Sequence, residues 1–183
     1  LTMKQYKMML FYRKNSSILI SSKGGFFMGI IATKKATRQL QKIFDFLGEY
    51  GGTIETKNPD NWWKLDLEVG DADETSKRDV AIGVCNVVNG DVLFDPQFTL
   101  NLKMDGLKIT EVEIEEYESN SVYLGTRYIT DDDMIHDGFG SEEKASPGLK
   151  RRFSDFMTNM TEVGPYLTDP KAVKRYTKTL AEW

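Results

Sequence analysis

Between Phe98 and Glu115 the chain alternates apolar and polar residues twice, with the turn pair Asp105-Gly106 in the middle. Phe98, Leu100 and Leu102 alternate with Thr99, Asn101 and Lys103. Val112 and Ile114 then alternate with Glu111, Glu113 and Glu115. A period of two sends successive side chains to opposite faces of a pleated strand, so this stretch reads as a hairpin with one buried and one wet face. Parity decides the turn. A two-residue Asp105-Gly106 loop pairs 104 with 107 and carries Glu111 and Glu113 onto the Phe98/Leu100 face. A three-residue loop, Met104-Asp105-Gly106, pairs 100 with 110 and 98 with 112, and the apolar faces match. The three-residue form is predicted, with Gly106 left-handed in a bulge. Glu111, Glu113 and Glu115 then line the outer face at intervals of about 6.6–6.8 Å, with Glu118 just beyond.

Other segments supply the elements around this hairpin. Leu40, Ile43, Phe44 and Leu47 recur at helical spacing, predicting a helix over 33–50 with Thr33 as cap and Gly51-Gly52 as stop. In "NWWKLDLEVG", Trp63, Leu65, Leu67 and Val69 share one strand face. Trp62 falls on the polar face with Lys64, Asp66 and Glu68, where it is an interface candidate. "VAIGVCNVV" is apolar on both parities, as in a central strand; Ala81, Gly83 and Cys85 share a side that leaves room for a helix. Asn89-Gly90-Asp91 and Asp95-Pro96 read as turns, and "SVYLGTRYI" completes a meander. "SPGLKRRFSDFMTNMTEVG" predicts a helix capped by Ser146, with Leu149, Phe153, Phe156, Met157 and Met160 as its stripe. "TDPKAVKRYTKTLAEW" predicts a second, capped by Asp169, with Ala172, Val173, Tyr176 and Leu180 inward. The expected class is α+β: an N-terminal helix, an antiparallel meander of about four to five strands and a C-terminal helical pair.

The 183 residues suffice for one domain, read as 34–183, preceded by a basic segment over 1–33. Met28 offers a natural start within that segment; alternatively "SSILIS" turns at Lys23-Gly24-Gly25 into "FFMGII" as a hairpin. One cysteine forbids an internal disulfide, no apolar run reaches membrane-spanning length, and a cytoplasmic location is expected. The net charge of −4 conceals a division: residues 1–44 hold nine Lys/Arg and no acid, 45–143 hold 24 acids and seven Lys/Arg, and 144–183 hold eight Lys/Arg and four acids. The central part should be electronegative and attract a basic partner. Lys34, Lys35, Arg38 and Lys42 crowd the start of the first helix, where the helix dipole disfavours cations. That placement hints at an outside use for the charge. The candidate for nucleic-acid contact is a separate one: Lys150, Arg151 and Arg152, with Lys171, Lys174, Arg175 and Lys178.

Phosphate loops, dinucleotide fingerprints, zincin helices and nucleophile elbows are absent from the sequence. A single His and a single Cys argue against a zinc site built from those ligands, and the strand reading buries Cys85 away from hydrolytic use. No cofactor is expected, save Mg²⁺ if carboxylates cut RNA. Asp91, Asp95, Asp131, Asp132, Asp133 and His136 are the residues that such a site would draw on, because hard cations take oxygen ligands and activate water. Turn chemistry accounts equally for Asp91 and Asp95.

The run "NGDVLFDPQFTL", followed by "YLG", resembles a family of small domains common on plasmids, conjugative elements and phages. Asn89, Gly90 and Asp91, then Asp95 and Pro96, Phe98, and Tyr123, Leu124 and Gly125 carry the resemblance, which spans about residues 34–130; Gln97 stands where an acid is expected. The family supplies no catalytic residues. The resemblance implies a mobile-element protein of the bacterial cytoplasm that counters host defence, in the manner of type II anti-CRISPR proteins. The expected partner is a basic, nucleic-acid-handling protein such as a Cas nuclease with its guide RNA. Glu111, Glu113, Glu115, Glu118, Trp62 and Asp131–Asp133 are the contact residues that the charge map nominates, competing for a cationic channel. The alternative is a metal-dependent nuclease, or a nuclease-activating factor, acting on RNA.

Overall fold

Strands dominate the middle of the chain because β-branched and aromatic residues recur there in short runs that alternate with polar ones or, at "VAIGVCNVV", are apolar throughout, and helices form only where the period lengthens. A computed structural model describes residues 30–57, 63–73, 75–88, 91–121, 125–129, 134–137, 142–169 and 171–177. Ten strands are described: β1 (Ile30–Ile31), β2 (Gly51–Thr56), β3 (Lys64–Ala72), β4 (Lys77–Val88), β5 (Asp91–Asp105), β6 (Lys108–Ser121), β7 (Gly125–Ile129), β8 (Met134–Asp137), β9 (Glu142–Lys144) and β10 (Val173–Thr177). The helices are α1 (Lys34–Leu47), α2 (Ala145–Thr158), continued by a π turn at Asn159–Val163, and the short α3 (Pro165–Thr168). The α+β class holds. The meander is longer than four to five strands: β2 to β9 pair in chain order, β10 returns to β2, and β1 lies on β6. The paired strands are antiparallel. Among the described residues no helix is long and apolar enough to cross a membrane.

Helix α1 starts where its sequence says it should. Thr33 Oγ1 accepts the Ala36 amide at 3.2 Å, satisfying a donor that the first turn leaves unpaired. It stops earlier than expected, at Gly48, whose φ of 94° suits glycine and whose amide reaches Phe44 O at 2.8 Å. Gly51 and Gly52 open β2 instead of ending the helix. The stripe Leu40, Ile43, Phe44 and Leu47 is buried, as is Leu149, Phe153, Phe156, Met157 and Met160 on α2 and the π turn. These two stripes cover one face of the sheet and pack on Ile54, Leu65, Leu67, Val80, Ile82, Phe98, Leu100, Leu102, Val112 and Ile114. Ile30 joins the same core and pairs with Ile114, so the sheet begins inside the segment set apart as 1–33.

The central hairpin solves its parity problem differently from the prediction. Asp105 pairs with Lys108, leaving the two-residue loop Gly106-Leu107, with Gly106 left-handed at φ 59° as expected. Left uncorrected, that loop would turn the glutamates inward. β6 avoids this with two extra residues: Thr110, opposite the Lys103/Met104 step, and Glu115, opposite Thr99/Leu100. Leu102 therefore faces Val112, Leu100 faces Ile114 and Phe98 faces Tyr117, all buried. Thr110 Oγ1 donates to Lys103 O at 2.9 Å, fastening the first bulge.

Three further expectations are corrected. The C-terminal helical pair does not form, because residues 173–177 make the edge strand β10, with Val173 opposite Thr56 and Thr177 opposite Gly52. Asp169 caps no helix there; its Oδ1 accepts the Lys171 amide at 3.1 Å in a local turn. Asp95-Pro96, a cis pair, starts no new strand but lies within β5, where Asp95 and Pro96 stand against the single residue Val84 of β4. The space beside Gly83 is taken by that strand and not by a helix, since a Cβ on Gly83 would lie 2.8 Å from Pro96 O.

Candidate functional site

The helices leave the other face of the sheet open, and its residues follow from strand register. Directly opposed residues share a face, so Lys103/Glu111, Asn101/Glu113, Thr99/Glu116 and Gln97/Glu118 form rungs across β5 and β6. Asp79 and Lys77 of β4 extend the same rungs through Asn101 and Lys103. Farther along, β3 contributes Lys64, Asp66 and Glu68, β2 contributes Glu55, and β10 contributes Lys174 and Tyr176. Eight acids share this surface with four lysines. The predicted row is thus present but rearranged: Glu111 and Glu113 stand as expected, Glu115 occupies a bulge, and Glu116 takes the regular position beside Thr99.

Polar contacts tie down part of the cluster and leave its centre crowded. Lys77 reaches Glu113 at 3.7 Å, and Lys64 reaches Glu55 at 3.2 Å. Asn101 donates to Asp79 at 3.1 Å, Thr99 to Glu116 at 3.3 Å, and Thr53 to Asp66 at 2.6 Å. Glu115 receives less relief. Partial burial, then the charges of Asp79, Glu113 and Glu116, push its carboxyl above the ordinary range, against a smaller opposing effect of Lys77. A carboxyl of this kind holds its proton more tightly in the folded than in the unfolded chain. Its contribution to stability is therefore present at low pH and is lost as pH rises through the raised value. Glu115→Gln is expected to raise the melting temperature at pH 7 by about 1–3 °C, the scale of one relieved like-charge contact. The gain should vanish near pH 4, and melting curves at the two pH values check it.

The other predicted residues divide into three groups. Asp95 serves the fold, accepting a hydrogen bond from Ser119 Oγ across β5 and β6. Asp91 and His136 are fixed by backbone pairing to Val88 and Tyr128. Trp62, Asp131, Asp132 and Asp133 lie outside the described residues, as do Asn89, Gly90, Tyr123, Leu124, Lys178 and Leu180. Among the described residues no group of three His, Cys, Asp or Glu side chains is arranged to hold a metal ion. Cys85 is buried, as its strand position suggested. The expected C-terminal basic patch is split: Lys174 and Arg175 point to opposite faces of β10, and Arg175 donates to Phe46 O at 2.7 Å with its guanidinium 5.2 Å from that ring. Sequence reading missed Tyr176, placed inward as a helical residue. It is 52% exposed on the open face, with its hydroxyl donating to Glu55 at 3.3 Å. Alternation of Val173, Arg175 and Thr177 with Lys174 and Tyr176 was the signal that could have found it.

Comparison with protein-family models, with curated proteins and with solved structures finds no match to this chain. Chemically, the open face offers carboxylates held at fixed spacings on a stiff support, an arrangement that receives guanidinium and ammonium groups without itself reorganising.

Proposed function

We propose that this chain is a binding protein of the anti-CRISPR kind. Its open acidic sheet face engages a cationic surface of a nucleic-acid-handling protein, such as a guide-loaded Cas nuclease, in the bacterial cytoplasm. The observation that carries this reading is the crowding of Asp79, Glu113 and Glu116 about Glu115, where partial burial and then repulsion from these neighbours disfavour charge on the Glu115 carboxyl. A cationic partner relieves that repulsion on binding, which adds to the ordinary attraction between opposite charges. Tyr176 gives the same face an exposed aromatic anchor. The resemblance of "NGDVLFDPQFTL" and "YLG" to mobile-element domains supports the choice of partner class.

The test is cleavage of target DNA by a guide-loaded type II nuclease, titrated with the protein. The wild-type chain is expected to inhibit, less so as salt rises. Glu113→Lys, Glu115→Lys and Glu116→Lys together should weaken inhibition at least about 100-fold, equivalent to about 2.7 kcal/mol. Equal inhibition by the triple variant, with an unchanged circular dichroism spectrum, would show that another surface does the work.

A further inference from the structure

The helix layer, on the far side of the sheet from the acids, carries the opposite charge. On α1 the core-facing residues are Ala36, Gln39, Leu40, Ile43, Phe44 and Leu47. At 100° per residue, Lys34 and Arg38 fall almost opposite that stripe, with Lys35 and Lys42 beside them, and all four are exposed. Lys150 and Arg151 add two exposed cations on α2, which packs beside α1 through the 3.2 Å contact between Thr33 Oγ1 and Ser154 Oγ. The exposed acids of the layer are three: Asp45, Asp155 and Glu162. Glu162 is engaged by Lys35 at 3.2 Å and by Gln39 at 2.7 Å, and these contacts hold its carboxyl below the ordinary range.

We infer that this helix face binds the sugar–phosphate backbone of a nucleic acid. Lys34, Arg38 and Lys42 are spaced four residues apart, so their α-carbons advance about 6 Å at a time and span about 12 Å along the helix. Such a row meets successive phosphates of one strand. The first turn of α1 holds no acid, so the positive end of the helix dipole adds to the cations instead of being neutralised. That arrangement costs the isolated helix stability, and an approaching polyanion removes the cost. A protein partner fits less well. The large apolar side chains exposed among the described residues are Ile31, Leu107, Val163 and Tyr176; of these only Val163, at the end of the π turn, belongs to the helix layer, and no exposed aromatic stands among its cations to serve as the anchor on which protein interfaces depend. Contacts to phosphate need no such anchor and carry no sequence preference. The inference stands apart from the proposed inhibitor role, which uses the opposite face. If both hold, one molecule bridges a cationic protein and the nucleic acid bound to it.

The experiment is fluorescence anisotropy with a labelled 20-nucleotide RNA and a labelled 20-base-pair DNA duplex, with no partner protein present. Binding is expected at 50 mM salt and should weaken roughly 50–150-fold by 200 mM if four phosphates are neutralised. Lys34→Glu, Arg38→Glu and Lys42→Glu together should reduce affinity at least tenfold, whereas Lys34→Arg with Lys42→Arg should retain it. Of the three new carboxylates, the one at position 34 lies in the first turn, where the helix dipole favours it, and those at 38 and 42 replace exposed side chains; an unchanged circular dichroism spectrum and melting temperature separate loss of binding from loss of folding. Glu113→Lys, Glu115→Lys and Glu116→Lys together should leave this binding no weaker, which separates the two faces. Absence of binding at 50 mM salt, or equal binding by the acidic helix variant, overturns the inference. So does a salt-sensitive oligomer, seen by sedimentation, that the acidic helix variant dissociates while neither polynucleotide binds; the face would then belong to a second copy of the chain.

Discussion

Replacing Phe98 by alanine is expected to lower the unfolding free energy by about 3–5 kcal/mol. Phe98 is fully buried where sheet and helix layer meet. Its ring lies 5.1 Å from that of Tyr117 on the neighbouring strand, and 5.1 Å and 5.3 Å from Phe153 and Phe156 on α2. The truncation removes a large apolar surface and three aromatic contacts at once. Neighbours on a rigid sheet cannot close the space, so the cavity term adds to the transfer term. Urea unfolding followed by tryptophan fluorescence measures the change. A loss below about 1 kcal/mol would mean that α2 does not pack on β5 as described.

Gly52→Ala is expected to cost about 2–4 kcal/mol and to loosen β10 from the sheet. Gly52 adopts φ 150°, and a Cβ there would lie 2.0 Å from Tyr176 O and 3.0 Å from Thr177 Cα. These are backbone atoms of the paired strand and cannot rotate away. Gly48→Ala serves as the control. Gly48 also has positive φ, at 94° with ψ 178°, but a Cβ there meets nothing within 4 Å, so its cost should be confined to backbone strain, about 1–3 kcal/mol. Hydrogen exchange should distinguish the two, with faster exchange along β2 and β10 in Gly52→Ala alone.

Much of this architecture is written in side-chain period. The stripes of α1 and α2 and the buried sides of β3 to β6 follow from spacing, because each element hides one face and burial depends on little else. Residues 169–177 show where such reasoning fails. Asp169-Pro170 resembles a helix start, and five residues are too few for alternation to outweigh it. Pairing with β2, more than 115 positions earlier, decides the matter, and local propensity does not report on that partner. The outer acids were legible as a group but not in detail. Parity required some correction between the turn and Val112, and a bulge within the strand met that requirement as well as a longer loop would have. The same limitation hid Glu116, which replaces Glu115 in the ladder only because of the second bulge.

The paired bulges of β6 also mark where this strand can change length. Each sets one extra residue against a single step of β5, so the partners beyond it are reached with or without that residue. Losing Thr110 would leave Ile109 opposite Met104, Glu111 opposite Lys103 and Val112 opposite Leu102, with the bulge smoothed into plain ladder. Natural variants of this strand should therefore drop single residues at 110 or 115, and keep the number of paired positions between them fixed.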